Sequence, residues 1–70
     1  MKYFEVAKSD IAYLKFILEG YPGLALMKTL DAKEGQVVMY IAPGAEEEAA
    51  EVIALLLREI SSLKPIERRE

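Results

Sequence analysis

The sequence predicts an α+β fold in the order β-α-β-β-α, and three observations carry that reading. Residues 1–7 alternate, with Phe4 and Val6 on one side and Tyr3, Glu5 and Ala7 on the other, the period of a half-buried strand. Two segments, 10–20 and 46–63, space their apolar residues at helical intervals. Between them, two apolar runs flank a short polar loop that ends in glycine, the signature of a hairpin.

Each element has its own start and stop signals. Ser9 or Asp10 is suited to accept a hydrogen bond from the free N–H groups that open the first helix, and Asp10 also suits the positive end of its dipole. Ile11, Leu14, Ile17 and Leu18 form the buried stripe of that helix, and Gly20 with Pro22-Gly23 ends it. Leu24 to Leu30 reads as the second strand and Gln36 to Ala42 as the third. The loop from Asp31 to Gly35 joins them, with Gly35 free to adopt positive φ. Pro43-Gly44 stops the third strand. Glu46, Glu47 and Glu48 open the second helix at the end where the dipole favours acids, and Pro65 closes it.

This order matches a truncated ferredoxin-like sandwich. In such a fold the first and third strands are neighbours, the second lies outside the third, and both helices cover one face of a three-stranded antiparallel sheet. Residues 1–64 form the single α+β domain. Residues 65–70 hold one apolar side chain, Ile66, and read as a charged tail with no fourth strand. The first strand is then expected to be an open edge able to pair with another chain.

Composition narrows the function classes. A chain of 70 residues has little room for a core, and small chains compensate with disulfides, a metal or a partner chain. Cys and His are both absent, which removes disulfides and disfavours zinc, haem and iron–sulfur sites, so no cofactor is expected. No apolar run is long enough to span a membrane, and nothing resembles a signal peptide, which makes a cytoplasmic protein the default expectation. Nine basic against twelve acidic residues give a net charge of −3, and the Arg68-Arg69 pair is bracketed by Glu67 and Glu70. Nucleic-acid binding, which needs a basic stripe to displace phosphate counterions, is disfavoured. Asn is missing and Gln occurs once, a depletion that points towards a thermophilic source.

The helical wheels and strand faces leave apolar residues over. The second helix buries Ala49, Val52, Ile53, Leu56, Leu57, Ile60 and Leu63, yet Leu55 sits on its charged side. On the first helix, Phe16 points away from the buried stripe with Tyr13 beside it. The second strand carries Leu24, Leu26 and Leu30 on one face and Ala25, Met27 and Thr29 on the other; the third sets Val37, Met39 and Ile41 against Val38 and Tyr40. A sheet with one solvated face alternates more cleanly, so both faces are expected to be covered while the helices can cover only one. Tyr3, Tyr13, Phe16, Met27, Tyr40 and Leu55 are therefore the candidate interface residues of a homo-oligomer.

Candidates for chemistry are sparse. Ser9, Thr29, Ser61 and Ser62 are the aliphatic hydroxyls, and without His each would need Lys or a carboxylate as its base; capping and surface roles explain them. Glu46, Glu47, Glu48 and Glu51 could present oxygens to a hard cation, but helix-dipole preference accounts for them. The same acids would repel a phosphate from the helix start after Gly44. A non-catalytic role is expected. Tyr3 and Tyr40 stand where an RNA-recognition sheet carries its stacking aromatics, though no matching motif is present, the chain is acidic, and sheet packing explains them.

The stretch Asp10-Ile11-Ala12-Tyr13-Leu14-Lys15-Phe16-Ile17-Leu18-Glu19, with Tyr21, Gly23-Leu24-Ala25, Pro43-Gly44 and the acidic start of the last helix, resembles a small bacterial family of uncharacterised domains. The resemblance covers most of the chain and implies a fold but no activity and no catalytic residue. The topology also resembles a shortened ACT-type regulatory domain, which binds amino acids at subunit interfaces. That pattern has a glycine in the turn after the first strand, where this chain has Ala7-Lys8-Ser9-Asp10. It implies a small-ligand pocket with Lys8, Ser9 and Asp10 as its lip and Tyr21 at its rim. The two leading expectations are thus a self-associating module and an ACT-like ligand sensor.

Overall fold

The computed structural model describes residues 1–67. Its elements are β1 (Lys2–Glu5), a short 3₁₀ turn (Lys8–Asp10), α1 (Ile11–Glu19), β2 (Ala25–Asp31), β3 (Gln36–Ile41), α2 (Glu46–Glu59) and β4 (Lys64–Ile66). The strands form one antiparallel sheet in the order β2-β3-β1-β4.

The sheet therefore has four strands where three were expected. β4 pairs with β1 through Tyr3↔Ile66, Phe4↔Pro65 and Glu5↔Lys64. The expectation of a free tail counted apolar side chains, and only Ile66 was available. Strand addition to an open edge is driven largely by backbone pairing, which makes no such demand on the side chains. Pro65 costs little because a proline is tolerated on an edge strand, and Lys64 meets Glu5 in an ion pair of 3.6 Å. With β4 in place, β1 is an interior strand, so the expected pairing of first strands between two chains is ruled out. Of the expected tail at 65–70, residues 68–70 lie outside the described residues.

The second helix is also shorter than its periodicity implied. It stops at Glu59, and Ile60 is already extended at φ −110° and ψ 98°. Ile60 and Leu63 are nonetheless buried, because a turn closed by the Leu63 N–H on the Ile60 carbonyl returns both side chains to the core. A turn and a helix share the three-residue spacing that the wheel reads.

Phe4, Val37 and Met39 from the sheet, Leu14 and Leu18 from α1, Ala49, Val52 and Leu56 from α2, and Val6, Leu24, Ile60 and Leu63 from the connecting segments make up a single core cluster. Both helices thus pack on the same face. The other face has no layer over it among the described residues.

Two turns fix the register. The Asp31 carboxylate accepts hydrogen bonds from the backbone N–H groups of Lys33 and Glu34, each at 3.0 Å, which folds the hairpin between β2 and β3. Gly35 then adopts φ +71°, and its carbonyl accepts the Val6 N–H at 2.9 Å. A Cβ at this position would collide with the Val6 carbonyl, so the β1–β3 junction admits only glycine.

Candidate functional site

The uncovered face of the sheet is built in rows set by strand register. Opposite one another stand Leu26 and Tyr40; then Lys28, Val38, Tyr3 and Ile66 across all four strands; then Gln36, Glu5 and Lys64. Val38 is only 1% exposed although no helix touches this face, because Tyr3 and Lys28 flank it on the adjacent strands. Leu26 is 70% exposed, with Tyr40 and Leu30 also exposed. The face thus has an apolar half around Leu26, Tyr40, Val38, Tyr3 and Ile66, and a polar margin at Glu5 and Lys64.

The expected interface residues divide between several places. Tyr3 and Tyr40 lie on this outer face. Met27 does not: it pairs with Met39 and packs against the core on the helix side, and Leu26 takes the outward position on β2. The strand alternation left these two assignments open, since either face of β2 is apolar enough to be buried. Tyr13 and Phe16 are exposed on α1, and Leu55 is exposed on α2. Sequence reasoning missed Leu26, whose exposure follows only once the pairing with Tyr40 fixes the face.

The expected pocket residues are not brought together within one chain. Asp10 accepts a hydrogen bond from the Ser62 hydroxyl at 2.8 Å, and the Ser62 oxygen in turn accepts the Ala7 N–H at 3.0 Å. This chain of bonds staples the turn after β1 to the turn after α2. Asp10 makes no side-chain cap on α1, contrary to the expectation from its position, because Ser62 holds its carboxylate. Lys8 and Ser9 are exposed. Tyr21 lies beyond the far end of α1, roughly 13 Å away by the rise of a nine-residue helix. Within one chain the three lip residues and Tyr21 therefore stand at opposite ends of α1.

Two depressions lie elsewhere among the described residues. An open groove of about 680 Å³ runs between α2 and the β1–β4 edge, lined by Phe4, Ala50, Ile53, Ala54, Leu57 and Pro65 among others. A smaller one of about 180 Å³ sits between the end of α1 and β2, lined by Lys15, Leu18, Glu19, Tyr21, Ala25 and Met27 among others. The Glu46 carboxylate accepts the Gly44 N–H at 3.3 Å, a local closure of the helix start. Among the described residues no group of three or more acidic side chains is placed to hold a metal ion. No helix among them is long and apolar enough to cross a membrane.

No curated protein matches the chain significantly, and no solved structure does so either. A family model does match, over residues 4–60, from Phe4 in β1 through α2 to the turn that follows it. With that span covering most of the folded chain, the protein belongs to the DUF4911 family, a domain of unknown function.

Proposed function

We propose that this chain is a non-catalytic module of ferredoxin-like topology whose role is to associate with a second copy of itself. The strand order β2-β3-β1-β4 with both helices on one face supports the ferredoxin-like reading. The observation that carries self-association is the exposure of Leu26 at 70% and Phe16 at 71%, large apolar side chains that one chain leaves in water. Single exposed apolar residues are ordinary, but Leu26 is continuous with Tyr40, Val38 and Tyr3. The slab is thin, 31 × 28 × 17 Å, so much of its apolar surface lies within reach of a second copy.

Light scattering during size exclusion, run across a concentration series, tests this reading. Mass should rise towards twice 7.9 kDa in the micromolar range. A particle of 7.9 kDa at every concentration up to 100 µM overturns it.

An RNA-binding reading draws on Tyr3 and Tyr40, which share the outer face of the two interior strands. The acidic balance of the chain and the Leu26–Ile66 surroundings favour a protein partner for that face. Binding of single-stranded RNA that weakens steeply with salt would reverse this order.

A further inference from the structure

We infer that the second copy docks on the free edge of β2, pairing β2 with β2 across a two-fold axis centred on Met27; the inference rests on the self-association proposed above. The sheet has two edges, β4 and β2. β4 is three residues long with Pro65 in its middle, which removes the central backbone donor. β2 is seven residues long and has no proline.

Backbone geometry fixes which groups of β2 are available. The Leu24 carbonyl accepts the Ala42 N–H, so Leu24 points its backbone groups at β3. By the alternation of antiparallel pairing, Leu26 and Lys28 do the same, while Ala25, Met27 and Thr29 point theirs to the free side. A two-fold axis normal to the sheet pairs residues of the same face. Centred on Met27, it pairs Met27 with its copy and Ala25 with Thr29 in both directions, on the order of six backbone hydrogen bonds. All three residues precede the irregularity between Thr29 and Asp31. Centred on Lys28 instead, the axis would oppose two like charges directly. In the Met27 register, Lys28 lies opposite Leu26 of the second copy, where its stem covers the leucine and its amine reaches water.

Side chains above and below the edge suit this arrangement. The smaller depression takes its walls from α1, the turn and β2, with none from β3 among the described residues, so it opens on the free side of β2. Lys15, Leu18 and Glu19 are the α1 residues that overlook it, and Lys15 shares it with Met27, near the level of the axis. Leu26, 70% exposed, flanks the same edge from the outer face. The edge is about 23 Å long at the usual strand rise, and the slab 17 Å thick, a flat footprint on the order of 400 Å². A standard interface buries roughly 800 Å² of accessible surface per partner, so Leu26 and the α1 side chains that overlook the edge must add to the strand contact.

Cross-linking decides the register, aided by the absence of native cysteine. Met27→Cys places two thiols on Cα atoms about 5.5 Å apart in the paired strands, within disulfide reach, whereas Lys28→Cys places them roughly 8 Å apart. Under mild oxidation Met27→Cys should form a covalent dimer at least tenfold faster than Lys28→Cys. Thr29→Pro removes an outward N–H at an exposed position and should weaken association at least tenfold, with the fold checked by circular dichroism. A wild type that stays monomeric defeats both self-association and this inference. A dimeric wild type with no preference for Met27→Cys, and with Thr29→Pro as tightly associated as before, overturns the β2 edge alone.

Discussion

Replacing Gly35 by alanine tests the tightest point of the fold. Gly35 combines φ +71° with a Cβ position occupied by the Val6 carbonyl, and its own carbonyl receives the Val6 N–H. Holding alanine at that φ costs about 1–2 kcal/mol. The collision is with main chain, which no rotamer change relieves, so β1 and β3 must separate and the Val6–Gly35 hydrogen bond is lost for about another 1 kcal/mol. The total is about 2–3 kcal/mol. Gly44 is the natural control, since it sits at φ +86° but a Cβ there meets open space. Gly44→Ala should therefore cost only the backbone share, about 1–2 kcal/mol. At roughly 4–8 °C per kcal/mol for a domain of this size, the roughly 1 kcal/mol between the two variants should separate their Tm by roughly 4–8 °C. Thermal and urea unfolding at one fixed protein concentration measures this, since association also moves Tm. Equal melting of the two variants, within about 0.5 kcal/mol, would mean the β1–β3 junction is not built as described.

Truncation after Leu63 removes β4, reopens the β1 edge and uncovers Phe4 beside Pro65, so Tm should fall by about 10 °C or more; an unchanged melt would return residues 64–67 to a dispensable tail. Ser62→Ala leaves the Ala7 N–H and the Asp10 carboxylate without their shared partner and should cost about 1–2 kcal/mol in urea unfolding, with Asp10→Ala in the same background adding less than it does alone. Lys64→Ala breaks an ion pair between side chains that are 68% and 37% exposed, and it should change stability by less than about 1 kcal/mol.

What could be read from the residues, and what could not, divides by the physics involved. Burial of Phe4, Val6, Leu14, Leu18, Val52 and Leu56 was legible because side-chain periodicity reports directly on which side faces a core. The Asp31–Gly35 turn was legible because few residues satisfy its backbone. β4 was not, since its place depends on whether β1 has a vacant edge, a property of the assembled sheet. Met27 and Leu26 could not be told apart while both faces of β2 were apolar; only the pairing with Met39 and Tyr40 separates them. The Asp10–Ser62 bond spans the chain from one end to the other, and nothing local in either residue announces it.

The two edges of the sheet show how one chain sorts closed surfaces from available ones. At β4 every feature opposes pairing: the strand is short, Pro65 interrupts its donors, and Lys64 is turned to Glu5 on its own sheet. At β2 the defences are partial. Lys28 is the one charge in the first six residues of the strand, and the irregularity comes only after Thr29. A central lysine resists any register that sets it against another lysine, and it tolerates one that sets it against a leucine. The same residue that blunts indiscriminate pairing therefore selects between registers. Lys28→Glu would preserve that selection, because like charges would still be opposed in the Lys28-centred register. Lys28→Thr would remove it, so a β2 edge so altered should pair in several registers and lose the sharp preference for cross-linking through position 27.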